Sequence, residues 1–331
     1  MLRNKDMNPK DFVANYELNS YRYSDFWKGR EYEHVAEVTL LTFLLKKYVP
    51  DVNKREIVDL GGAYGRLAPL YGSTAKQVVL ADYSSNELLE GQNRIVGSPY
   101  KNQVKFVALN AYRLPFALNS IDLLLSVRVM HHLKDLPLFF TELGKTLVPG
   151  GIAIIEFANK NHLLALMRHL VRLDVVPYKR LPVLRVNHQN NTSQGMKEGQ
   201  LAIMYNFSPD FVRHTAVQAG LEVEGLYACS FWRIPLLKKI IPTGWLNRLE
   251  ALMQQIAPHW LITPSVFIVL KKPGEFIESS ILLGERLRCP TCCTLLHAEK
   301  SALVCSNGHR FEQAKKGIID LRDPRPEQVD F

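Results

Sequence analysis

Ile57-Val58-Asp59-Leu60-Gly61-Gly62-Ala63-Tyr64-Gly65-Arg66 reads as a short apolar strand that runs into a glycine turn and then a helix. Glycines at such a turn let the backbone approach a ligand, and the helix start that follows is electropositive. A dinucleotide fingerprint would place glycine at 61, 63 and 66. This chain has Ala63 and Arg66 there, so a nicotinamide cofactor is disfavoured. The spacing present is Asp-x-Gly-x-Ala-x-Gly, with Asp59 as the acid.

The flanking sequence alternates strands and helices. Apolar runs at Glu56–Leu60, Gln77–Ala81, Val104–Leu109, Ile121–Ser126 and Gly151–Phe157 read as strands. Helical patterns lie at Ser85–Arg94 and Leu133–Leu147, and a further helix precedes the first strand at Glu31–Tyr48, stopped by Pro50. This alternation predicts a mainly parallel sheet with helices on both faces. Beyond Phe157 the pattern loosens. Helices are expected at 160–172, after the Ser208-Pro209 start, and where Trp245, Leu249, Leu252 and Ile256 recur at helical spacing. Leu221–Cys229 and Ser265–Leu270 read as two further strands, and 187–200 reads as a polar loop.

The glycine turn, with the segments that follow it in order, resembles motif I of the class I S-adenosylmethionine-dependent methyltransferases. The resemblance is close over 55–157 and looser over 208–271. It implies an α/β fold: a Rossmann-like seven-stranded sheet with helical insertions. It also implies a cofactor site built from Asp59, Gly61, Gly62, Gly65, Asp82, Tyr83, Asn110 and Ala111. Asp82 ends the second strand and would accept from the ribose hydroxyls, which are donors. Asn110 stands where relatives commonly carry Asp facing the adenine amino group, and its amide oxygen can still accept. Leu114-Pro115-Phe116 and Leu147-Val148-Pro149-Gly150-Gly151 match later landmarks of the family.

Methyl transfer is a displacement that alignment alone accelerates. A general base is needed only when the acceptor must lose a proton. The exit of the fourth strand reads Ser126-Val127-Arg128-Val129, without the Asn/Asp-Pro-Pro-Tyr of relatives that methylate exocyclic base amines. No catalytic residue stands out. Arg128 is a candidate for an anionic acceptor, or simply pairs with an acid. His132, beside His131, is a candidate base, or orients its loop. The aromatic segment with Trp27, Arg30, Tyr32 and Glu33 resembles a lid preceding motif I, or serves as plain core.

Four of the five cysteines cluster near the end of the chain. Cys289, Cys292, Cys305 and His309 form Cys-x2-Cys-x12-Cys-x3-His, a ligand set for a closed, structural Zn2+ site. Cys293 is a spare thiol that could replace Cys292, and His297 is a weaker substitute for His309. The block resembles the zinc ribbon of bacterial ribosomal-RNA guanine-N1 methyltransferases and that of small methyltransferase activator subunits. In the former the ribbon precedes the catalytic domain; here it follows.

The domain reading is an N-terminal lid and helix (1–50), a methyltransferase domain (51–272, with insertions at about 158–207 and 230–262), a linker (273–285) and a ribbon (286–331). The chain has 331 residues and a formal charge of +9, with 47% apolar and 22% charged residues, an ordinary globular composition. Residues 159–272 hold 14 Lys and Arg against 6 Asp and Glu, so the basic excess belongs to the insertions. There is no uninterrupted apolar run of ~18 residues to span a membrane. Nor does the N-terminus carry an apolar signal core, so a cytoplasmic location is expected. The expected activity is methyl transfer from S-adenosylmethionine to a small molecule or to RNA, with a protein partner possible through the ribbon. The alternative is a non-catalytic zinc-ribbon scaffold or RNA-binding protein.

Overall fold

A computed structural model describes residues 22–171, 183–186, 203–300, 302–314 and 317–322. Residues 1–21 of the expected N-terminal lid and the loop 187–200 lie outside the described residues.

A short helix α1 (Tyr23–Phe26) and a long helix α2 (Glu31–Tyr48) lead into an alternating core. Strands β1 (Glu56–Leu60), β2 (Gln77–Asp82), β3 (Val104–Ala108), β4 (Ile121–Ser126) and β5 (Leu147–Ala158) are parallel neighbours in the order β3-β2-β1-β4-β5. Every residue of β1 and β4 is buried, as expected for strands covered on both faces. Helices α3 (Ser85–Ile95) and α4 (Leu136–Thr146) start where their caps dictate. The Ser84 hydroxyl accepts from the Glu87 N–H at 3.4 Å, and the Asp135 carboxylate accepts from the Leu138 N–H at 3.0 Å.

The second half adds α5 (Leu163–Val171), a small hairpin of β6 (Val183–Val186) and β7 (Ile203–Asn206), and α6 (Pro209–Gln218), capped by Ser208 as its sequence predicts. Next come β8 (Glu222–Cys229), α7 (Pro235–Ile240), α8 (Thr243–Ile256) and β9 (Ser265–Lys271). Strand β9 runs antiparallel between β5 and β8 and completes the seven-stranded order β3-β2-β1-β4-β5-β9-β8. Helix α8 lies where expected but turned outward: it buries Glu250 and Gln254 and exposes Trp245 and Ile256. Glu250 accepts from the N–H groups of Ser230 and Phe231 and from the Tyr32 hydroxyl, so the polar stripe must face inward.

The sheet does not stop at β3. In the tail, β10 (Leu296–Glu299), β11 (Ala302–Cys305) and β12 (Arg310–Ala314) form an antiparallel ribbon. From β12 the chain turns into β13 (Ile318–Asp320), which pairs in parallel with β3 through Ile319↔Val107 and Asp320↔Ala108. The result is one eleven-stranded sheet. The segment 273–285 is strapped across the N-terminal ends of β1 and β2. Its Leu283 N–H donates to Glu56, its Gly284 N–H donates to Gln77 at 3.0 Å, and Phe276 stacks beneath Arg55. Leu287, Leu296 and Phe311 join the same apolar core as Phe116 and Leu124. A ribbon of this size has little core of its own, so this shared packing is what completes it.

Candidate active site and metal centre

The C-terminal ends of β1, β2, β3 and β4 converge on a cleft of about 790 Å³, part of it open to solvent. Gly61 leaves β1 at φ +73°, and a methyl group there would lie 2.0 Å from Val129 Cγ2, so only glycine fits. Ala63 holds a left-handed φ of +46°, and its N–H donates to Asp82 Oδ2 at 3.0 Å. The Ser84 N–H donates to Asp82 Oδ1 at 2.9 Å. The Asp82 carboxylate is thus fixed at the cleft wall by two backbone donors, and each of its oxygens can accept more than one hydrogen bond. Asn110 Oδ1 accepts from the Tyr112 N–H at 3.0 Å, and the Tyr112 hydroxyl accepts from the N–H groups of Lys134 and Asp135.

Of the residues read from sequence, Gly61, Asp82, Tyr83, Asn110 and Ala111 line the cleft, together with Arg128 and His132. Asp59, Gly62 and Gly65 are not among its lining residues. Asp59 is buried beneath the turn, where it accepts from the Tyr71 hydroxyl, and burial pushes its carboxyl up to about 6. Gly62 packs against Leu80 and Asp59, and Gly65 against Ile95. Sequence reading missed Glu87, which also lines the cleft and accepts from the Tyr23 N–H at 2.9 Å, tying α1 over the site. Its place three residues after the Ser84 cap was the available signal. Burial pushes the Glu87 carboxyl up to about 7.

At the β4 exit Arg128 has φ +63°, and its N–H donates to Glu156 at 2.9 Å. Its guanidinium pairs with Glu37 of α2 at 2.5 Å, and Arg66 from the glycine turn pairs with the other Glu37 oxygen at 2.6 Å. Both guanidiniums stack on Trp27, at 3.7 Å for Arg66 and 4.8 Å for Arg128. Arg128 therefore pairs with an acid and anchors the helix above the site. Burial pushes the His132 imidazole down to about 4, and His131, packed against it at 4.1 Å, is pushed well down by burial and by the charge of Arg128. Both rings are neutral at neutral pH.

In the ribbon the ligand atoms of Cys289, Cys292, Cys305 and His309 lie within 4.8 Å of one another. Sγ of Cys292 is 3.6 Å from Sγ of Cys305, and His309 Nδ1 is 3.4 Å from Cys305 Sγ and 3.6 Å from Cys289 Sγ. A tetrahedral Zn2+ with ~2.3 Å bonds to sulfur sets edges of ~3.6–3.8 Å. These spacings fit. Cys293 is exposed at φ +61° and outside the group, as is His297 on β10. Cys229 is buried beside Ser230 and Gln254.

Residues 58–155 match the family model for a methyltransferase domain, and 287–322 match a zinc-ribbon model described as RlmA, N-terminal. The chain carries a methyltransferase domain with the class I S-adenosylmethionine-dependent fold. Its zinc ribbon sits at the opposite end from the position that the model's description names. The methyltransferase is 29% identical over 186 residues to the ubiquinone/menaquinone biosynthesis C-methyltransferase UbiE of Hahella chejuensis, covering 49% of this chain and 74% of that one. It is 28% identical over 148 residues to a malonyl-[acyl-carrier protein] O-methyltransferase of Xylella fastidiosa, covering 44% and 48%. Among solved structures, the magnesium protoporphyrin IX methyltransferase of Synechocystis aligns with TM-score 0.48 at 15% identity, over 74% of this chain and 86% of that one. The methyltransferase domain of this chain takes S-adenosylmethionine as its cofactor, and the Cys/His cluster of the ribbon fits a structural zinc ion. No helix among the described residues is long and apolar enough to cross a membrane.

Proposed function

We propose that this methyltransferase acts on a small organic acceptor held at the Arg128–His132 end of the cleft. In this reading Asp82 takes the ribose hydroxyls, Asn110 and Ala111 take the adenine, and the Gly61 backbone faces the methionine portion. Asp59 acts from beneath, by holding the turn. S-adenosylmethionine, when bound, supplies an electrophilic methyl on a sulfonium. The protein's own part is alignment and the exclusion of water by α1 and α2. His132 is neutral and can accept a hydrogen bond from an acceptor hydroxyl.

The observation that carries a small acceptor is the position of the ribbon. Strand β13 is four strand spacings from β4, or ~19 Å at ~4.8 Å each, so the ribbon sits far from the acceptor end. At that end Arg128 is instead held by Glu37 of α2, and α2 is tied to the Ser230–Arg233 loop, whose Trp232 N–H donates to the Tyr32 hydroxyl at 2.8 Å. The names of the relatives, C- and O-methyltransferases of small or carrier-bound molecules, point the same way. Incubating the purified protein with methyl-labelled cofactor and fractionated cell extract should place label in organic-soluble small molecules. Label confined to RNA would overturn the reading.

A further inference from the structure

Helix α8 is amphipathic the wrong way round for a helix of a soluble domain. Its inward stripe is Leu246, Glu250 and Gln254, with Glu250 only 1% exposed. Its outward stripe is Trp245, Leu249, Leu252 and Ile256, spaced as one helical face, with Trp245 60% and Ile256 66% exposed. The apolar surface continues past the helix end. Trp260 is 61% exposed, and the Ile262 carbonyl accepts from the Leu163 N–H at 2.7 Å, which brings the exposed Leu163 and Leu164 of α5 alongside. Before α8, Leu236 and Ile240 of α7 are exposed as well. Exposed apolar side chains recurring along these neighbouring segments mark a candidate interaction surface.

Its charge selects the occupant. Between residues 235 and 262 the only acid is Glu250, which is buried, whereas Lys239 and Arg248 are exposed and Arg248 stacks on Trp245 at 5.3 Å. Along 235–262, exposed tryptophan and aliphatic side chains beside exposed cations and no exposed acid fit the headgroup–acyl boundary of an anionic bilayer. The face is also mechanically joined to the cleft. Glu250 holds Tyr32 on α2, and Glu37 on the same helix holds Arg128 at the cleft wall.

We propose that α7, α8 and the start of α5 form an interfacial surface that seats the enzyme on anionic lipid. Resting on the small-acceptor reading, the class of acceptor that suits such a seat is a lipophilic molecule partitioned into the bilayer, reached without crossing water.

The test is co-sedimentation of the full-length protein with vesicles of phosphatidylcholine alone and with vesicles enriched in phosphatidylglycerol, in the absence of cofactor and acceptor. Binding should be at least roughly tenfold stronger to the anionic vesicles and should weaken with salt. The double variant Trp245→Glu, Leu252→Glu should lose it. Both side chains are exposed, so this variant should keep the wild-type affinity for S-adenosylmethionine by calorimetry, which separates lost docking from lost folding. Equal binding to both vesicles, no binding, or an unaffected variant overturns the proposal. So does a wild-type dimer that the variant dissociates, because the occupant is then a second copy. The readout needs no methyl transfer, so its failure leaves the small-acceptor reading standing, and the converse also holds.

Discussion

Arg322 Nη1 donates to the carbonyl oxygen of Tyr83 at 3.1 Å, joining the zinc ribbon to the loop that follows Asp82. The guanidinium also lies 5.6 Å from the Tyr83 ring and is held by Asp320 of β13. Two more contacts reach the cofactor side: the Arg288 N–H donates to Pro115 O and the Ala117 N–H to Arg286 O, next to the segment after Asn110. The ribbon therefore buttresses, from behind, the cleft walls proposed to hold the ribose and the adenine. Arg322→Ala should weaken S-adenosylmethionine binding roughly three- to tenfold, as expected for one hydrogen bond of ~1 kcal/mol, with zinc content unchanged. Calorimetry measures it, and an unaltered Kd would sink the link.

Removing zinc should act on the same wall more severely. Cys292→Ser should lose bound zinc, measured by atomic absorption, because Cys293 points to solvent and does not replace it. Melting should fall by several degrees, since a ribbon this small depends on its metal, and cofactor affinity should fall with it. A zinc-replete Cys292→Ser protein would contradict the ligand assignment.

Gly61→Ala should abolish measurable cofactor binding. The added methyl meets Val129 and φ is +73°. Val129→Ala in the same chain should restore binding only in part, because the left-handed backbone still costs about 1–2 kcal/mol for a residue with a Cβ. Ala63→Gly is the opposite case. Relief of φ +46° offsets the added unfolded-state entropy, so stability should change by less than about 1 kcal/mol and affinity should not fall.

Arg128→Met should destabilise the fold by roughly 3 kcal/mol in denaturant titration, since it strips one partner from the buried Glu37 carboxylate. A double-mutant cycle with Glu37→Gln should show coupling above about 1 kcal/mol. Additive effects would mean that the pair does not act as a unit.

The neutral histidines give a pH signature. Burial holds His132 at about 4 and lowers His131 too, below the ordinary 6.5 of an unfolded chain. The unfolded state then binds more protons, so their contribution to stability is lost as pH falls from about 6.5 towards 4. Glu87 and Asp59, pushed up to about 7 and about 6, oppose this trend. The clean measurement is therefore the difference in melting temperature between wild type and His131→Asn, His132→Asn across that window. The variant should lose less stability on acidification; parallel curves would refute it.

The sequence by itself determined what depends on neighbours along the chain. Apolar runs, Ser84, Asp135 and Ser208 caps, the glycine turn and the spacing of Cys289, Cys292, Cys305 and His309 each specify a local structure through backbone sterics, capping or ligand reach. They sufficed for the parallel core, for bringing Asp82 and Asn110 to the wall of one cleft, and for the Cys/His cluster. Only the tertiary structure decided which groups meet across long separations. Strand β13 could pair with any exposed edge, and nothing local names β3. The periodicity of Trp245, Leu249, Leu252 and Ile256 announces a helix but not which stripe faces inward; that choice was made by Tyr32 and by the Ser230 and Phe231 amides, which require Glu250. The sequence allowed Arg128 either an anionic acceptor or an acid partner, and only the tertiary structure supplied the partner, Glu37, 91 residues earlier in the chain. Buried charge pairs and sheet edges are satisfied by partners distant in sequence, and no local propensity encodes them.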